Sequence, residues 1–207
     1  MIASAINLQD RSIDHHAPPA ADGQARDPAI WLANAAAFRA APVSLAQLPE
    51  SLQPWLMLED SMTEAIARQF GQPPLVAVHY SGADSLRAFE CDCLAGQTSE
   101  RRGYARHISL NIDGRPVLLA RSVTYLGNSI EPLLSRLQTT PLARVLFEDD
   151  QWQRTGAPLP LEICATLPGR ACVWQDQRSG ERLVVEEFFN FAAAHPSEGH
   201  PPGKHAP

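Results

Sequence analysis

At 207 residues, with 44% hydrophobic and 19% charged, the chain can bury one sizeable core, and no composition shift within residues 48–191 marks a second domain. A net charge of −6, with no basic helix, excludes a surface that reads a nucleic-acid groove. No run is long and apolar enough to cross a bilayer, and residues 1–10 lack a charged start followed by an apolar core, so no membrane insertion and a cytoplasmic location are expected.

Residues 1–29 read as an N-terminal extension, because 12–28 mixes Pro, Ala and Asp with a His15-His16 pair and offers little apolar surface to pack. A single domain is expected over 30–194. Within it, residues 30–38 predict a short helix, and 45–58 is apolar enough to pack before the next element. The run Trp55-Leu56-Met57-Leu58-Glu59-Asp60-Ser61-Met62-Thr63 then joins apolar sequence directly to a helix start. Ser61 is placed as N-cap, Glu64 three residues later closes a capping box, and Gly71 stops the helix after Phe70. Backbone N–H groups of the first turn, Met62 among them, have no partner inside the helix, and such a terminus suits a carboxylate or phosphate.

Strands are predicted over 75–80, 86–93, 104–112, 116–125, 162–166, 171–175 and 182–191, with turns at Asp113-Gly114 and Ser179-Gly180. Between the fourth and fifth, Thr139-Thr140-Pro141-Leu142 reads as a second helix start, with Thr140 as N-cap, Pro141 as first helical residue and the N–H of Leu142 free. Too few helices separate the strands for a parallel doubly wound sheet. An α+β fold is therefore predicted, an antiparallel sheet with helices covering one side and a ligand between them. Residues 195–207, rich in Pro and His, read as a tail.

Alternation along two strands places ionisable groups among apolar ones. Tyr104, Arg106, Ile108, Leu110 and Ile112 share one face, opposite His107, Ser109 and Asn111. Leu183, Val185, Glu187, Phe189 and Phe191 share another, opposite Val184, Glu186, Phe188 and Asn190. Arg106 and Glu187 could satisfy one another as a buried salt bridge, since buried charges are normally paired. They could instead line one cavity, Arg106 gripping an anionic group and Glu187 meeting a hydroxyl or a transferable proton.

Other residues carry less. Cys91, Cys93, Cys164 and Cys172 show no zinc-ligand spacing and are expected as reduced thiols. Trp31, Trp55 and Trp174 are expected as core anchors. His107 points away from Arg106, and Arg121 is open to either support of the anion site or an ion pair elsewhere. Ser61 lacks a nucleophile elbow, and there is no P-loop, dinucleotide fingerprint or internal repeat.

The run from Trp55 to Thr63, the Arg106 strand continuing through Asp113-Gly114-Arg115-Pro116 to Ala120-Arg121-Ser122-Val123, Thr140-Pro141-Leu142 before Leu146-Phe147, and Glu187-Phe188-Phe189 occur in the order found in chorismate lyases. The chain resembles that family over about residues 48–191. It departs from it at Ala143, where Gly is usual, and at Arg170-Ala171-Cys172, where Arg-Arg-Ser is usual. The resemblance implies conversion of chorismate to 4-hydroxybenzoate and pyruvate, the entry to ubiquinone biosynthesis, with no metal or organic cofactor and a monomeric protein. It further implies that the aromatic carboxylate is held by Arg106 and the backbone N–H groups of Met62 and Leu142, that Glu187 meets the para hydroxyl, and that helical flaps close over the site. The rival expectation is a module of the same fold that binds or senses an aromatic acid without turning it over.

Overall fold

The computed structural model describes residues 40–95, 101–148, 150–163 and 167–191. The two tails, the helix predicted over 30–38 and the ends of the expected domain lie outside these residues.

Eight antiparallel strands form one sheet: β1 (Ala40–Pro42), β2 (Leu75–Ser85), β3 (Arg102–Ile112), β4 (Arg115–Tyr125), β5 (Trp152–Arg154), β6 (Leu159–Ile163), β7 (Leu167–Asp176) and β8 (Arg182–Phe189). Their spatial order is β1-β6-β7-β8-β4-β3-β2, with β5 beside β7. The long hairpin β3–β4 turns at Asp113-Gly114, both at positive φ, which Gly adopts without strain. Among the described residues five α-helices accompany the sheet: α1 (Gln53–Leu56), α2 (Met62–Phe70), α3 (Ala88–Leu94), α4 (Glu131–Arg136) and α5 (Leu142–Glu148). The α+β architecture with an antiparallel sheet is as the sequence predicts.

On one face, Trp55, Leu56, Met62, Ala65 and Ile66 of α1 and α2 pack with Ile108, Leu110, Leu118 and Phe189. Beside them, Leu134 of α4 and Leu142 and Leu146 of α5 pack on Tyr104, Trp174, Leu183 and Val185. The opposite face is not bare. There, Leu86, just before α3, and Leu94, its last residue, pack with Ala105, Leu119, Val184 and Phe188.

Several expectations need correction. Residues 86–93 contain most of helix α3 and are not a strand, because Glu90 and Leu94, four apart, are the positions that bury. The alternation of Phe89, Cys91 and Cys93 imitates a strand. Two short strands, β1 and β5, carry too few residues to show a period. Helix α5 starts at Leu142, with Pro141 immediately before it and its carbonyl accepting from the Arg144 amide at 3.2 Å. Helix α2 is capped as expected by Ser61, whose hydroxyl accepts from the Glu64 amide at 3.3 Å, and ends at Gly71 with φ 68°. The reciprocal half of the capping box does not form, and the Glu64 side chain lies 3.8 Å from Arg68.

Candidate active site

Strand registry lays out the floor of the site. Arg106 is opposite Ser122, which is opposite Val185, which is opposite Cys172. The next row runs Ile108, Ala120, Glu187, Arg170. Arg106 and Glu187 therefore lie two strands and one row apart, roughly 12 Å between Cα positions from ordinary sheet spacings. The salt-bridge reading of this pair fails, because Glu187 pairs with Arg170 and Arg106 bonds only to backbone carbonyls among the described residues. Between the two poles, the floor is made of Ala120 and Ser122, whose small side chains leave room above them.

The starts of α2 and α5 close over this room. The cavity is lined by Met62 and Thr63 from one helix, Leu142, Ala143, Leu146 and Phe147 from the other, and Ile108, Ala120, Ser122, Val185 and Glu187 from the floor. Its volume, about 50 Å³, holds a few waters. Met62 and Leu142 are thus brought together with Glu187 as the sequence indicates. Arg106 is on the same strand face as the cavity residues Ile108 and Leu110 but is not in the cavity wall.

Arg106 is 1% exposed and has no acidic partner among the described residues. Its Nη2 donates to the Gln138 carbonyl at 2.6 Å and the Thr140 carbonyl at 3.2 Å, just ahead of α5. Its Nη1 is buried without any partner. Burial pushes its pKa down to about 10, against a smaller opposing pull from Tyr104. The side chain is still a cation at neutral pH, held where an unpaired charge is costly.

Glu187 is paired with a residue that the sequence reading passed over. Arg170 Nε donates to Glu187 Oε2 at 2.7 Å, and Arg170 Nη1 donates to the carbonyls of Leu56 at 3.1 Å and Leu58 at 2.6 Å. Arg170 shares its strand face with Cys172 and Trp174, so alternation would have found it had the strand been started before Ala171. The second residue passed over is Arg154, also in the cavity wall. A three-residue strand gave no pattern from which to find it. Trp174 is more than a core anchor: it lines the cavity, with the Arg154 guanidinium 5.0 Å from its ring centroid and Phe147 edge-on at 5.1 Å. Trp55 is a core residue as expected, 2% exposed against Phe191.

Arg121 belongs to the other face. It donates from Nη1 to Asp84 at 2.5 Å, from Nε to Glu90 at 2.7 Å and from Nη1 to His107 Nε2 at 2.6 Å. Its role is the ion pair, not support of the anion site. Cys91, Cys93 and Cys172 are free thiols. Cys172 lies on the cavity floor, where burial pushes its thiol up and disfavours a thiolate nucleophile. Among the described residues no three His, Cys, Asp or Glu side chains are arranged to hold a metal ion, and no helix is long and apolar enough to cross a membrane.

A family model for chorismate lyase matches residues 32–190. The chain belongs to the chorismate lyase family. Within the family it is similar to the chorismate pyruvate-lyase of Salmonella gallinarum, 32% identical over 144 residues, which cover 69% of this chain and 84% of that one. The chorismate pyruvate-lyase of Salmonella arizonae is 31% identical over the same lengths. Among solved structures, PhnF from Mycobacterium smegmatis matches with a TM-score of 0.44 and 13% identity, covering 66% of each chain. The C-terminal domain of a histidine utilization repressor from Pseudomonas syringae matches with a TM-score of 0.41 and 12% identity, covering 63% of this chain and 99% of that one. In this member of the chorismate lyase family, Met62, Leu142 and Glu187 line the cavity, and Arg106 lies on the same sheet face outside its wall.

Proposed function

We propose that the protein is a chorismate lyase, converting chorismate to 4-hydroxybenzoate and pyruvate at the head of ubiquinone biosynthesis. The observation that supports this most is the polarity of the cavity: a buried, unpaired guanidinium lies near one end and an arginine-bound carboxyl at the other, across a floor of Ala120 and Ser122. Arg106, with the first-turn amides of Met62 and Leu142, receives the ring carboxylate. Glu187 meets the ring hydroxyl, with Arg170 fixing its orientation.

The chemistry asks little of the protein beyond placement. The ether C–O bond breaks, with its electrons leaving on the enolpyruvate oxygen. The C–H bond at the hydroxyl-bearing carbon breaks and supplies the last pair of the aromatic ring. The proton ends on the methylene carbon, which gives pyruvate. Aromatisation drives the reaction, so orientation of the ring and stabilisation of the departing charge are the protein's contribution. Glu187 is the group within reach of the hydroxyl end to take or give a proton.

The substrate is a small diffusible anion, and the protein's net charge of −6 means that attraction comes from local guanidinium groups and not from the global field. The protein acts as a monomer in the cytoplasm, without nucleic-acid partners and without a metal. The test is incubation of purified protein with chorismate in the presence of a chelator, following both products. Equal release of pyruvate and 4-hydroxybenzoate is expected. Well-folded protein that releases neither would point instead to a module that only binds the aromatic acid, and 3-hydroxybenzoate as product would overturn the assignment.

A further inference from the structure

The side chain of Arg154 is left half-used. Its Nη1 donates to the Leu58 carbonyl at 3.0 Å, and one face of the guanidinium lies over Trp174. Its Nε is buried with no hydrogen-bond partner. Nη2 likewise meets no acceptor among the described residues, and no acid pairs with the group. Nε and Nη2 form the edge through which a guanidinium grips a carboxylate with two parallel bonds. That edge is open in a side chain that lines the cavity.

Its position along the cavity is fixed by a shared acceptor. The Leu58 carbonyl takes one bond from Arg154 and another from Arg170, and Arg170 holds Glu187. Arg154 therefore stands at the Glu187 end, away from Arg106. Two guanidinium groups on one carbonyl repel one another, and Glu187 pairs with only one of them. Asp60, the other acid in the wall, makes no ion pair among the described residues.

Resting on the reading of the site as a chorismate lyase, we infer that Arg154 binds the second carboxylate of the substrate, the one carried by the enolpyruvyl ether. Chorismate bears that ether on the ring carbon next to the hydroxyl-bearing one. With the hydroxyl at Glu187, the side-chain carboxylate falls on the Arg154 side of the same pole. The aromatic product has lost this group. Arg154 thus distinguishes the dicarboxylate substrate from the monocarboxylate product, whereas Arg106 engages both alike. It also holds a negative charge beside the oxygen that gains one as the ether breaks, which places the leaving group as well as recognising it.

The test separates this from a stapling role on Leu58. In Arg154→Gln, kcat/KM for chorismate should fall about a hundredfold, the loss typical of one removed charge-stabilising donor, while affinity for 4-hydroxybenzoate stays within about threefold, since that ligand offers Arg154 nothing. Arg154→Lys, which restores the charge without the two-pronged edge, should recover part of the loss. Equal weakening of both ligands, or no change in either, would overturn the inference and leave Arg154 as a structural anchor. If Arg154→Gln melts too low to assay, Arg154→Lys carries the same comparison of substrate with product. Should the unaltered protein release no pyruvate, the chorismate lyase reading falls, and ligand-induced melting shifts still decide the inference: chorismate must outbind 4-hydroxybenzoate through a difference that Arg154→Gln removes.

Discussion

The two faces of the sheet both bury arginine, and Arg121 on one contrasts with Arg106 and Arg154 on the other. On the α3 face, Arg121 is saturated by Asp84, Glu90 and His107, while Arg87 reaches both Glu90 and Glu186. On the cavity face, Arg106 ends in a buried nitrogen with no partner, and Arg154 leaves an edge open. A buried charge by itself therefore says nothing about ligand binding. The informative feature is the hydrogen-bonding capacity left over once the protein's own acceptors are counted. The closed network is satisfied within the fold, and the open one leaves donors for the anion that the proposed function supplies.

The sharpest way to break this contrast is to remove one arginine from each face. Arg121→Ala strands Glu90 and Asp84 and should cost about 3–5 kcal/mol of stability, as expected when one member of a buried ion cluster is deleted, measured by denaturant unfolding. Arg106→Gln should lower kcat/KM about 10²–10³-fold and abolish binding of 4-substituted benzoates. Its unfolding free energy should change by no more than about 1 kcal/mol, because the lost bonds to Gln138 and Thr140 are offset by relief of an unpaired buried charge. Comparable destabilisation by both variants would show that the two faces do not differ in kind.

Ligand binding sharpens the comparison from the other side. A carboxylate that completes Arg106 should stabilise the cavity face, so 4-hydroxybenzoate should raise the melting temperature and inhibit competitively. At about a hundred times its Kd the gain is about 2.7 kcal/mol. Pyruvate at the same concentration should do neither. If the amides and Arg106 grip substrate and product alike, as proposed, product release should slow turnover, and a trap for the aromatic acid should straighten curved progress traces.

The α3 face should in turn control the response to acid. The Glu90 and Glu186 carboxyls hydrogen-bond to one another, so one of them carries a proton. Burial and the Glu90 charge push Glu186 well up. Burial also works to raise Glu90, but the hydrogen bond from Glu186 and the charge of Arg121 outweigh it and hold Glu90 at about 2. Glu90 thus contributes stability above its unfolded value of 4.5 that is lost as pH falls towards 2. Glu186 acts in the opposite sense, its contribution fading as pH rises above 4.5. Melting curves from pH 2 to 8 should show the acid loss in the unaltered protein and not in Glu90→Gln, which starts less stable. The smallest effect belongs to Glu186→Gln, which keeps a neutral donor towards Glu90 and should shift stability by less than about 1 kcal/mol.

Alternation placed Arg106, His107 and Glu187 on their correct faces because each lies in a strand long enough to display a period of two. It did not give their partners. Those depend on register between strands distant in sequence, and registry is what separates Arg106 from Glu187 and seats Arg170 beside the acid. Arg154 was out of reach for a different reason, since three residues of strand carry no period. Glu186 was passed over because its face, with Val184, Phe188 and Asn190, looked the less apolar of the two, yet α3 covers it completely. The helix start at Met62 was legible because the Ser61 cap acts locally, whereas the second helix begins one residue after the Pro141 start that the sequence predicts.

The Arg106 bonds to Gln138 and Thr140 have a consequence for how the site opens. The guanidinium proposed to receive the ligand also bonds the segment before α5, so under that proposal ligand occupancy and the closing of that segment are linked equilibria that share one side chain. Whatever tightens the one must tighten the other by the same free energy. Amide exchange across residues 137–146 should slow when 4-hydroxybenzoate binds. Conversely, a substitution that unsettles Gln138, whose φ of 46° already strains a residue bearing a side chain, should weaken ligand affinity from a position that never touches it.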